Sequence, residues 1–193
     1  MLNFRNGILL AFGVSSAAAL IYEIVWLKAL AYVFGTTAYA LSSVISIFLA
    51  GLAIGSWVAG TVSSNDSKFF AKMEILLGFY GIFSVLFFPL LQKIYILLSG
   101  GILSAMLIST IVLLIPTVMI GATFTIAGRL LSKYETLGSD IGKTYSADVV
   151  GSAIGSALAG FLLLPIVGIT ISIAIAALLN FISAAILWGG KNE

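Results

Sequence analysis

Gly51-Leu-Ala-Ile-Gly-Ser-Trp-Val-Ala-Gly60 returns one hundred positions later as Gly151-Ser-Ala-Ile-Gly-Ser-Ala-Leu-Ala-Gly160, and seven of the ten residues are identical. Each copy lies inside a long apolar run, so the motif reads as a duplicated membrane helix and not as a soluble glycine loop. Duplication at this distance in so apolar a chain implies two related halves packed face to face, an arrangement met in membrane transport proteins.

Composition supports a bilayer setting. Of 193 residues, 61% are hydrophobic and 8% charged, with mean hydropathy +1.22. A soluble domain carries roughly 25% charged residues, and nine basic plus seven acidic side chains cannot cover a surface of this size. Cysteine and histidine are absent. That removes disulfides, thiolate and imidazole chemistry, and the usual zinc, copper or haem ligands. No cofactor and no metal site is expected. No basic cluster interleaves with aromatics, so nucleic acid is not an expected partner. The stretch after Arg5 imitates a signal peptide, but apolar character continues to Val33, past a cleavable core of roughly 7–15 residues. It reads as a retained first span.

Crossing roughly 30 Å of hydrocarbon takes about 20 helical residues. By that measure the chain divides into six spans, at about 7–33, 38–62, 69–91, 101–131, 144–167 and 170–189. The expected fold is all-α, a single transmembrane domain over 1–193, with one repeat at about 7–91 and a second at about 101–189. Short breaks fall at Gly35-Thr36-Thr37, Ser63–Lys68, Ser132–Lys143 and Gly168-Ile169-Thr170, and 92–101 reads as a surface stretch. With an inner N-terminus, Arg5, Lys68, Lys72, Arg129, Lys133, Lys143 and Lys191 face the cytoplasm, against Lys93 and Lys28 outside. That asymmetry places both termini inside. Three spans per half is an odd number, so the halves are inverted. Pro116, near the middle of the long fourth span, removes a backbone donor. It predicts a kink or, alternatively, a break that frees carbonyls near 112–113 for a ligand.

Gly51 and Gly55, with Ala59, and Gly151 and Gly155, with Ala159, line one helix face each. Gly60 and Gly160 extend the small surface. Such stripes let backbones approach where lipid offers no hydrophobic drive. They read as packing, or as a sliding interface that spans two and five form between the halves. Glu23 is the leading site candidate, because a carboxylate inside a span is costly and functional by default. Ser16, Ala19, Trp26 and Leu27 share its face. An aromatic beside a buried anion suits an organic cation, so Tyr22, Glu23 and Trp26 form the candidate binding group. Asn180 in span six is a possible structural partner of Glu23. Lys28 snorkels outward. Asp148 and Glu74 read as carboxylates at helix starts. The run Phe79-Tyr80, Phe83, Phe87-Phe88 reads as lipid-facing. No P-loop, dinucleotide loop or nucleophile–base pair is present, so no residue is assigned as catalytic.

Four blocks together resemble the membrane region of spermidine synthase-like integral membrane proteins. They are Ala19–Lys28, Phe48–Ser56, Ile115–Thr123, and Tyr145–Gly155 continued by Gly160–Gly168. The resemblance implies a helical membrane region somewhat like half of a major facilitator transporter, usually followed by a soluble aminopropyltransferase-like domain. This chain stops at Lys191-Asn-Glu193, where that domain would begin. By that likeness the matching positions are Tyr22, Glu23, Trp26, Lys28, Pro116, Gly121, Tyr145 and Asp148. Lys28 stands where the family often has arginine, and Thr125 where proline is usual.

The expected function is a permease-like subunit or membrane partner of a spermidine synthase-like system, handling a small cationic or amphipathic solute in the plasma membrane. It would work as a homodimer or with another membrane protein, and with a separately encoded aminopropyltransferase-like protein. The alternative is a scaffold that holds a partner enzyme or an assembly complex through loop 132–143. A third reading is an enzyme on lipid-linked substrate, which requires Glu23 and Asp148 in one pocket open to lipid.

Overall fold

The computed structural model describes residues 4–62, 67–132 and 137–189. These are helical throughout, apart from short turns. In chain order the helices are α1 (Phe4–Phe34), α2 (Ala38–Thr61), α3 (Ser67–Leu97), α4 (Ile102–Leu131), α5 (Leu137–Ala157) and α6 (Leu164–Gly189). A π-helical stretch, Leu158–Leu163, joins the last two. Five runs are long and apolar enough to cross a membrane, the last being Gly138–Gly189.

The expected spans five and six, 144–167 and 170–189, are thus joined in one run from Gly138 to Gly189 with no loop between them. Pro165 explains part of this: it lacks the amide that would bind the carbonyl four residues back, and a widened π turn absorbs the loss. Within the run, Gly168 alone leaves helical geometry, with φ 74° and ψ −176°. A side chain rarely adopts that backbone. The two flanks nonetheless lie along the same part of α1. Gly151 and Gly155 meet Gly13 and Ala17, while the Ser183 hydroxyl donates to the Ala11 carbonyl at 2.9 Å. The chain therefore bends back at Gly168.

Other boundaries move for local reasons. The third helix runs on to Leu97 instead of ending at 91, and Ser99 and Gly100, both at positive φ, close it. Residues 137–143, expected in a loop, form the first turns of α5. Lys133 and the Lys191–Glu193 tail lie outside the described residues. Gly35, at φ 82°, makes the expected turn. Thr37 then caps α2 by accepting from the Ala40 amide at 3.3 Å. Helix α4 continues through Pro116 without a break. The carbonyl orphaned by that proline is Val112, and the Tyr80 hydroxyl donates to it. The Thr117 hydroxyl serves Leu113 at 2.7 Å. No carbonyl is left there for a ligand.

Helix α1 is the hub and touches every other helix. Its apolar residues are spread around the helix, in keeping with neighbours on several sides. The glycine stripes set the two closest crossings. A Cβ on Gly55 would fall 1.9 Å from the Val118 carbonyl oxygen, and one on Gly155 would fall 2.3 Å from that of Ala17. Hence α2 packs on α4 and α5 packs on α1. Helices α2 and α5 do not touch each other; each meets a different partner through its own glycines. Gly60 and Gly160 have nothing nearby and belong to neither crossing. Gly121 does belong, with the Leu52 carbonyl oxygen 2.2 Å from where its Cβ would be.

Candidate functional site

Helices α1, α2, α4 and α5 enclose a cavity of about 170 Å³. From α1, residues sixteen, nineteen, twenty and twenty-three (Ser16, Ala19, Leu20, Glu23) face it at the three- and four-residue spacing of one helical face, together with Phe12 and Ser15. Opposite stand Phe48, Leu52 and Ser56 of α2, and Gly121, Thr123 and Phe124 of α4. Helix α5 adds Asp148 and Ser152.

Glu23 and Asp148 therefore share one cavity, both half-buried. The Ser16 hydroxyl donates to Asp148 Oδ1 at 2.6 Å. Ser16 and Glu23 lie seven residues apart on α1, a backbone rise of roughly 10 Å. Among the described residues no lysine or arginine lines the space. Phe12 and Phe124 meet edge to face across it, with centroids 5.9 Å apart. Apolar ring faces beside an anion can hold a short alkyl chain carrying positive charge. No group of three metal-type ligands occurs among the described residues.

The candidates do not all assemble here. Tyr22 and Trp26 are buried on another side of α1, their rings stacked at 4.7 Å. Trp26 Nε1 donates to Ser84 of α3 at 3.1 Å. The aromatics that line the cavity are phenylalanines, and Trp26 does not share the face of Glu23. Asn180 bonds elsewhere too, as shown below. Asp148 is twelve residues into α5, far past the first turn, which holds Asp140 instead. Arg5 reaches Asp140 at 3.5 Å. Lys28 is exposed, 5.1 Å over the Tyr32 ring, in keeping with snorkelling. Tyr145 is exposed and Pro116 is buried in α4, so neither lines the cavity. Tyr80, Phe87 and Phe88, expected to face lipid, pack on the core, whereas Phe79 and Phe83 are exposed.

Sequence reasoning missed Glu74. It is fully buried, eight residues into α3 and not at its start. Its carboxylate accepts from the Ser15 hydroxyl at 2.7 Å and from Asn180 Nδ2 at 2.7 Å. A signal was available: Glu74, Gly78 and Gly81 share one helical face, and Gly78 and Gly81 pack beneath Phe181 and Tyr22. A glycine stripe marks the packed side of α3, and Glu74 is on it.

Long apolar helices around a polar interior are consistent with a multi-pass helical membrane protein. The chain is 24% identical over 174 residues to a polyamine aminopropyltransferase of Leptospira interrogans serogroup Icterohaemorrhagiae serovar copenhageni (strain Fiocruz L1-130). That alignment takes in 90% of this chain and 33% of the relative, so the chain spans about a third of its length. The match supports a distant spermidine synthase-like link. No protein-family model matches the chain. No solved structure matches it either.

Proposed function

We propose that this chain is a permease-like membrane partner of a spermidine synthase-like system, and that its cavity receives a small organic cation between Glu23 and Asp148. The pairing of two carboxylates in one cavity without a lining cation carries this reading. An anionic, partly apolar space within a low dielectric favours a cation that can shed water. The name of the aligned relative points to polyamine chemistry, and a diamine has the complementary shape: two charges joined by methylenes.

In this reading the chain crosses the plasma membrane six times as two inverted three-helix repeats, like half of a major facilitator transporter, with both termini cytoplasmic. The bend at Gly168 supports the sixth crossing. Matched crossings support the repeat: the glycines of α2 sit on α4, and those of α5 sit on α1. In each case the second helix of one half packs on the first helix of the other. A homodimer, or a complex with another membrane protein and a separate aminopropyltransferase-like protein, completes the pathway.

Calorimetry with putrescine on the protein in lipid nanodiscs tests the proposal. Glu23→Gln or Asp148→Asn should each weaken binding at least about tenfold, the 1.4 kcal/mol of one modest charge contact. Unchanged affinity in both variants, or no binding by the native chain, overturns it. The scaffold reading draws on one observation, that the aligned relative is an enzyme of which this region forms a third. Lost partner capture without any putrescine binding would favour that alternative.

A further inference from the structure

We propose that Glu74 is a reversible proton site that exchanges with the Glu23–Asp148 cavity through Ser15. Carboxyl and cavity are separate, since Glu74 does not line the space, yet Ser15 belongs to both. It lines the cavity and donates to Glu74 Oε1 at 2.7 Å. Among the described residues no other cavity-lining side chain bonds to Glu74.

The surroundings of Glu74 are polar but uncharged. Helix α1 presents Ser15 and the titratable Tyr22, whose hydroxyl is buried without a partner. Helix α6 presents Asn180 and Ser183 and contains no charged residue. On α3 itself Lys72 points to the exterior. Elsewhere on α1, Glu23 faces the cavity and Lys28 is exposed. Arg129 of α4 is engaged with the carbonyls of Ala59 and Val62. Among the described residues no cation therefore fixes the carboxylate in its charged form.

The hydrogen bonds accommodate either form. In the structure Asn180 donates its Nδ2 to Glu74 Oε2 at 2.7 Å, while its Oδ1 is buried and unpartnered. An amide carries donors on one side and an acceptor on the other. Adding a proton to Oε2 and rotating the Asn180 amide lets the new O–H donate to Oδ1. Ser15 continues to donate to Oε1. The carboxyl keeps its Ser15 and Asn180 hydrogen bonds in both states, which differ by one proton and one side-chain rotation. The orphaned acceptor is the group a protonated Glu74 needs.

This site rests on the cavity being open to solute, but its test does not depend on which solute binds. Infrared difference spectra of the native protein in nanodiscs, taken from mildly alkaline to mildly acid buffer, should show a protonated carboxyl band growing in. Carbon-13 labelling of glutamate should shift that band, assigning it without mutation. It should vanish in Glu74→Gln and persist in Glu23→Gln. On transfer to heavy water its isotopic exchange should slow several-fold in Ser15→Ala. A titrating band that survives Glu74→Gln, or the absence of any such band, overturns the proton site. Exchange at the native rate in Ser15→Ala overturns the route. Failure of putrescine binding in calorimetry is a separate result and leaves the carboxyl band unchanged.

Discussion

The Tyr80 hydroxyl donates to the carbonyl of Val112, the acceptor that Pro116 deprives of its helical amide. One side chain of α3 thereby completes the backbone of α4. A proline inside a helix is tolerated at membrane depth because neighbouring groups satisfy what it leaves open.

Tyr80→Phe should therefore destabilise the protein by about 1–3 kcal/mol, the cost of an unsatisfied buried acceptor. Thermal unfolding in mild detergent should show a lowered midpoint, and an unchanged midpoint would mean that the carbonyl finds another donor.

The two close crossings predict a sharp contrast among glycines. Gly55→Ala and Gly155→Ala push a methyl into the Val118 and Ala17 carbonyls, an overpacking worth about 1–3 kcal/mol each. Gly160→Ala, with open space around it, should be neutral. Unfolding curves of the three variants decide the matter.

Breaking the buried Glu74 network from one side should cost more than replacing it. Asn180→Leu leaves a buried carboxyl with one donor fewer, at about 2 kcal/mol or more. Glu74→Leu combined with Asn180→Leu removes both partners and should recover part of that loss, because an apolar pair of similar volume leaves only the Ser15 hydroxyl to find another acceptor. A double variant less stable than the Asn180 single would contradict this account.

Trp26 and Phe124 should behave in opposite ways toward a bound cation. Trp26→Phe loses the Ser84 hydrogen bond at 3.1 Å and should lower stability by about 1 kcal/mol while leaving putrescine affinity intact. Phe124→Ala strips a cavity wall and should weaken binding several-fold. Calorimetry beside thermal unfolding separates the two.

The sequence carried the apolar runs, the turn at Gly35 and the small-residue faces, because each depends on local composition. It could not say which faces meet. Gly51 and Gly151 are alike, and a repeat reports only that two surfaces share a shape. Their partners, Thr117 and Gly13, are set by how the halves interleave. Glu23 was legible because it is a lone acid within an apolar run. Asp148 and Glu74 were taken for helix-start residues because each lies close to a polar loop in sequence. Helix lengths decided against that: α5 begins at Leu137 and α3 at Ser67. Trp26 was assigned to Glu23 by near-spacing on the helix, but it turns toward α3, where Ser84 offers a hydroxyl to its indole.

Where Gly55 meets Val118 and Gly155 meets Ala17, peptide planes abut with no side chain between them. Such a joint has no rotamers to re-sort and nothing soft to compress. Helices α2 and α4 are thus fastened into one stiff plate, and α1 and α5 into another. The carboxylates stand on the second plate and face the first, so any widening of the space before them has to part plate from plate.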